Sequence, residues 1–197
     1  MAVVDIIIPA FRGIVPTANT ALLRMIQASQ CRCGNHEPWE CTRSKHSIYV
    51  HPHVQSSVIH WARNHQVAEA LYKPQPDRNR PPAEYILMLD DDMCVEPFYL
   101  DRLLMHRVDI VAGICTKRRD PPTPTIQFWD PKDECFRWPA EWDWDSQKLM
   151  ECDAAGAACL LVRRRVLERM TEAYLDCFFE RLEHKARLPS GTLRYGA

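Results

Sequence analysis

Residues 85–93 read YILMLDDDM. Five mostly apolar residues run without a break into three consecutive aspartates. An apolar run of that length between polar segments suits a strand covered on both faces, as in the middle of a parallel sheet. Three adjacent carboxylates repel one another unless a cation sits among them. Negative charge at a helix start accounts for one aspartate ahead of Pro97, but not for three tied to a buried strand. The stretch therefore predicts a central strand whose carboxyl end presents oxygen ligands to a hard divalent cation, Mn²⁺ or Mg²⁺.

Working outward, strand-like and helix-like segments alternate. VVDIII (3–8) is a buried strand ending at Pro9. TANTALLRMIQASQ follows as a helix with Thr17 as N-cap, and Ala18, Ala21, Leu22, Met25 and Ile26 fall on one face. SIYVH (47–51) is a short strand. SSVIHWARNHQVAEALYK is a second helix, capped by Ser56 or Ser57, with Val58, Trp61, Ala62, Ala68 and Leu71 inward. After the aspartates Pro97 opens PFYLDRLLMHR as a helix, and VDIVAGICT (108–116) is a further buried strand. Residues 117–147 read as irregular, 151–162 as a strand-like run, and 163–184 as a helix. The pattern predicts a single α/β domain over residues 1–184, with a mainly parallel sheet flanked by helices, and a polar tail over 185–197 that frays. In such sheets ligands collect beyond the carboxyl ends of the strands, where Asp90, Asp91 and Asp92 fall.

Composition narrows the partners. With 25 basic and 26 acidic residues the formal net charge is −1, which argues against bulk electrostatic attraction to nucleic acid or an anionic membrane. No apolar run approaches membrane-helix length. The N-terminus lacks a basic head and reads as a strand, not a leader. Nine cysteines, an odd number at irregular spacing, suit reduced thiols in a cytoplasmic protein. Cys31, Cys33, His36 and Cys41 are zinc-ligand types, but their spacing lacks two paired CxxC units, so a polar, cysteine-rich loop is expected there.

The ordered set SSVIHWARNHQVAEAL, a turn, and AEYILMLDDDM resembles the core of the family 2 glycosyltransferases, which have the GT-A (Rossmann-like) fold. The closest resemblance is to compact bacterial and phage members. VDIIIPAFRG resembles that family's first strand and nucleotide-facing loop. DIVAGICTKRRDPPTPT and CDAAGAACLLVRRRVLERM resemble its later strands, and the match spans about residues 3–170. The resemblance implies transfer of a sugar from a UDP- or GDP-sugar, with Mn²⁺ or Mg²⁺ as cofactor, to an acceptor it does not identify. Asp90 and Asp92 match the outer positions of the Asp-x-Asp motif, Asp90 near the ribose and Asp92 on the metal, with Asp91 assisting. Arg63 and Asn64 match the family's Ala-Arg-Asn helix beside the nucleotide. Pro9, Ala10 and Phe11 match the loop under the base, and Gly156 and Ala157 match the small residues under the donor sugar.

Departures set further expectations. The family's Glu-Asp pair after the last helix, whose Asp is the usual base, has no counterpart, which leaves Asp153 as the candidate base. Weak transfer is expected, from a shortened or inactive relative. A non-catalytic relative that binds nucleotide-sugar or a partner is the second reading, and a metal-dependent nucleotidyltransferase the third. Trp142 and Trp144, between acidic residues, read as a hairpin turn with one packed ring in preference to an acceptor loop. Lys117, Arg118 and Arg119 read equally as diphosphate ligands or as a solvated loop.

Overall fold

The computed structural model describes residues 2–10, 13–30, 46–54, 59–72, 81–117, 120–140, 142, 149–173, 187–188 and 191–192. The central sheet has five strands in the order β2-β1-β3-β8-β4. They are β1 (Val3–Ala10), β2 (Ser47–Val54), β3 (Tyr85–Leu89), β4 (Ile110–Ala112) and β8 (Cys159–Arg163). β1 pairs in parallel with β2 and β3, whereas β8 runs antiparallel to both β3 and β4. Four of the five strands therefore point the same way, as expected of a mainly parallel, mixed sheet. β3 lies between β1 and β8, and all five of its residues are buried, which explains the continuous apolar run that alternation alone would not give.

Helices cover both faces. One face carries Ile6, Ile8, Leu87, Leu89 and Leu161, packed against Leu22 and Met25 of α1 (Pro16–Gln30) and Leu100 and Leu103 of α3 (Tyr99–Met105). The other carries Ile7, Ile86, Met88 and Val162, packed against Val67, Ala68 and Leu71 of α2 (Ile59–Tyr72) and Leu167 of α4 (Arg164–Ala173). The β1–β2 connection thus runs over one face and the β2–β3 connection over the other. Strand order reverses direction between β1 and β3, the switch-point arrangement of Rossmann-like sheets.

A second sheet, in the order β6-β5-β7, is built from β5 (Ile126–Asp130), β6 (Cys135–Arg137) and β7 (Ala154–Ala155). Within the tail, β9 (Arg187–Leu188) and β10 (Gly191–Thr192) form a short antiparallel pair where fraying was expected.

Several boundaries differ from expectation. α1 starts at Pro16, so Thr17 lies in its first turn and is not the cap; proline suits that first position because its missing N–H would be unpaired there anyway. α3 starts two residues after Pro97. β4 keeps three residues and is an edge strand, leaving Ile110 52% exposed. The stretch read as irregular contains the β5–β6 hairpin, whose strands are too short to show a clear period. The run 151–162 breaks into β7 and β8 around a turn at Gly156. Of the helix expected over 163–184, Arg164–Ala173 is described. Ser56, Ser57, Val58, the Trp61 side chain and the Cys31–Cys41 cluster lie outside the described residues; Ala62, Ala68 and Leu71 are buried as expected.

Candidate functional site at the carboxyl edge of the sheet

At the end of β3 the chain turns. The Asp90 amide donates to the Ala158 carbonyl at 2.9 Å, and the Asp90 carbonyl accepts from the Met93 amide at 3.2 Å. The Asp91 carbonyl accepts from the Val15 amide at 3.0 Å. The acidic turn is thus tied on one side to the strap between β7 and β8 and on the other to the entrance of α1. Asp90 continues the alternation of Ile86 and Met88, which directs its side chain toward the α2 face. There the Arg63 guanidinium donates to Asp90 Oδ1 at 2.5 Å, with each side chain about one-fifth exposed. Arg63 and Asp90, 27 positions apart in the chain, thus meet at the switch point. Arg63 Nε is buried and has no hydrogen-bond partner. Asp91 is half-buried and Asp92 exposed.

Other expected residues fall around this pair. Pro9 and Ala10, both buried, end β1 beside the end of β3. Asn64 is half-buried on α2. Phe11 lies outside the described residues, as do Arg118, Arg119 and Trp144. A Cβ on Gly156 would lie 2.9 Å from Thr125 Cβ and Oγ1, and its amide donates to the Thr125 carbonyl at 2.7 Å. Close packing against Thr125 is therefore a sufficient reason for glycine there. Ala157 sits half-buried in the same turn. Asp153 belongs to the small sheet: its Oδ2 accepts from the Trp129 amide at 2.8 Å, and its own amide donates to the Gln127 carbonyl at 3.1 Å. Lys117 places its ammonium 3.4 Å from the centroid of the Trp138 ring.

The arginines at the junction of β8 and α4 are structural. Arg164 donates to the Ala70 and Leu71 carbonyls at 3.1 and 2.5 Å and to Glu168 at 2.7 Å. Those carbonyls end α2, so a cation caps the negative end of the helix that carries Arg63. Arg163 donates to the Tyr85 hydroxyl at 2.8 Å and to Asp109 at 3.2 Å.

No family model matches this chain. No curated protein matches it either. Among solved structures, protein A197 from STIV is similar at 12% identity, over 97% of this chain and 73% of that one, with a TM-score of 0.46. A 4-diphosphocytidyl-2C-methyl-D-erythritol synthase from Anaerococcus prevotii is similar at 11% identity, over 93% and 80% of the two chains, with a TM-score of 0.44. No helix among the described residues is long and apolar enough to cross a membrane.

Sequence reasoning missed the groups beneath the acidic turn. Cys159 and Cys115 are buried, and Tyr99 hydrogen-bonds to Cys159. The Tyr99 hydroxyl lies where a Cβ on Gly113 would sit, which keeps position 113 a glycine. Burial pushes the Cys159 thiol up to about 12, and burial followed by the charge of Asp90 raises Cys115. Burial also raises the Tyr99 hydroxyl well above its ordinary range. These thiols are protonated fillers, not nucleophiles. Iodoacetamide labelling of the native protein near pH 8, mapped by mass spectrometry, should modify exposed Cys94 and leave Cys159 untouched until denaturant is added. Equal native labelling of the two would contradict this packing.

Proposed function

We propose that the chain is a glycosyltransferase that binds a nucleoside diphosphate-sugar, UDP- or GDP-linked, over the switch point between β1 and β3. The observation that supports this reading is the Arg63–Asp90 pair at the carboxyl end of the central strand, where open α/β sheets hold their ligands. In this reading Pro9, Ala10 and Phe11 lie under the base, Arg63 and Asn64 flank the nucleotide, and the turn of Gly156 and Ala157 lies under the sugar. Arg63 has a buried Nε–H without a partner, a donor suited to a phosphate oxygen. Asp153, fixed by the Trp129 amide, takes the acceptor's proton.

Among the described residues no three His, Cys, Asp or Glu side chains converge on one point. The chain would then supply one or two carboxylates, Asp92 and Asp90, with diphosphate oxygens and water completing the shell. That is the usual mode for Mg²⁺, and the all-oxygen donor set fits it. The bound cation would stabilise the charge that grows on the leaving diphosphate. Arg63 adds a fixed positive charge on the same side.

Calorimetry with UDP and GDP, with and without Mn²⁺, tests the reading. One of the two should bind, and Asp92→Ala or chelator should weaken it by about 1.5–3 kcal/mol, the value of a charge-assisted contact. Affinity indifferent to both changes would overturn the metal-dependent donor site.

A further inference from the structure

We propose that the outer face of the β6-β5-β7 sheet is a platform for a neutral carbohydrate chain, with Trp129, Phe136 and Trp138 stacking on the sugar rings and Lys117 donating to hydroxyls beside them. Trp129 and Phe136 sit opposite each other across the β5–β6 pair, their ring centroids 5.1 Å apart and their planes at 68°. Trp138 follows two residues after Phe136, which keeps it on the same side of an extended chain. The three rings are 45%, 47% and 42% exposed, whereas Ile126 of β5 is buried. Large aromatics normally bury most of their surface, so three half-exposed rings within one small sheet are out of proportion to a purely structural role. The Lys117 ammonium over the Trp138 ring joins this sheet to the segment that follows β4.

Charge selects the occupant. Near the rings stand Lys117, Lys132 and Arg137 against Asp130, Asp133, Glu134 and Asp153, three basic residues against four acidic. Arg137 is further occupied by Asp130, at 2.7 Å, and by Asp133. Such a surface lacks the positive excess that phosphate backbones require and offers no attraction to anionic lipid. A pyranose has an apolar face for an aromatic ring and hydroxyls at its edge for an ammonium. It therefore matches rings set in a nearly neutral, hydrogen-bonding rim.

The platform shares its sheet with Asp153, whose amide and carboxylate both bond to β5. A chain lying on it is then the acceptor, and this last step rests on the glycosyl-transfer reading; the binding itself does not. The test titrates the protein with maltohexaose, cellohexaose, mannohexaose and chitohexaose, followed by tryptophan fluorescence and saturation-transfer NMR, with poly(dT) and anionic vesicles in parallel. At least one saccharide should bind. Trp138→Ala and Trp129→Ala should each weaken it about tenfold, the loss of one aromatic stack, while Trp138→Tyr, which keeps a ring, retains most of the affinity. Melting temperature should fall by only a few degrees, the cost of a partly buried ring, and UDP or GDP binding should not change. Binding of none of the four saccharides, saccharide binding indifferent to the alanine variants, or binding of poly(dT) or vesicles in their place overturns the platform. Saccharide binding with no nucleotide binding overturns the transfer reading and leaves the platform standing.

Discussion

Replacing His51 by alanine is expected to lower the free energy of unfolding by about 3 kcal/mol. The cause lies in β1, where Asp5 is fully buried between Val4 and Ile6. Its Oδ1 lies 3.2 Å from His51 Nε2 on β2, and the His51 carbonyl accepts from Gln66 on α2 at 2.8 Å. A carboxylate inside a sheet is tolerated only with partners, and removing one member of a buried pair costs roughly 3–5 kcal/mol because the other stays desolvated. The lower end applies because the His51 side chain is 30% exposed, so water can partly replace it. At roughly 2–4 °C per kcal/mol for a domain of this size, the melting temperature should fall on the order of 10 °C. Urea titration of His51→Ala, Asp5→Asn and the double variant checks this. Asp5→Asn should rescue much of the His51→Ala loss, since a neutral amide costs less to bury than a carboxylate. Strictly additive losses would show that the pair does not act as one unit.

Asp5 also marks a limit of the sequence. In VVDIII one acid interrupts an apolar strand, and its position was legible, but not its partner. Pairing in a parallel sheet depends on register: Asp5 aligns with Tyr49 and Ile7 with His51, and nothing local in SIYVH fixes that alignment. The same reasoning separates what was legible elsewhere. YILML declared itself as a central strand because burial on both faces leaves a continuous apolar run. The direction of β8 left no such trace, since parallel and antiparallel pairing ask for the same residues. The β5–β6 hairpin went unseen because its strands have five and three residues, shorter than a periodicity needs, and its rings point outward where hydrophobic patterning looks for polar side chains.

The fold class was legible in the alternation of segments, and the two residues that meet at its switch point were legible one by one. Asp90 and Arg63 were each singled out from short motifs, and the crossing from β2 through α2 to β3 brings them to 2.5 Å. The meeting itself was not expected: both had been assigned to the donor, not to each other. Lys117 was left between two readings, and the Trp138 ring beneath its ammonium draws it to the small sheet. Arg164 caps α2 because the Ala70 and Leu71 carbonyls stand within its reach, a juxtaposition of residues more than 90 positions apart that no window of sequence contains.

The pairing of Arg63 with Asp90 sets the largest effect expected on chemistry. Under the glycosyl-transfer reading, Asp90→Asn should cut donor turnover by about 10²–10³-fold while leaving the fold intact. Asparagine keeps the shape and one oxygen for Arg63 but removes the charge. That single change acts twice: the guanidinium is no longer held by an ion pair, and one carboxylate is lost from the acidic turn. Both effects fall on the leaving diphosphate, where negative charge develops. Arg63→Lys approaches the same pair from the other side, keeping the charge but losing the planar fork. If the two residues work as a unit, the double variant should be no slower than the worse single one, as for groups that act together. Hydrolysis of UDP- and GDP-sugars in Mn²⁺ supplies the rate without knowledge of the acceptor, and near-ultraviolet circular dichroism with the melting temperature checks the fold. Turnover of Asp90→Asn equal to that of the parent would remove the pair from the chemistry. Multiplying losses in the double variant would show two independent contacts, with Arg63 reaching the donor on its own and Asp90 serving only the cation.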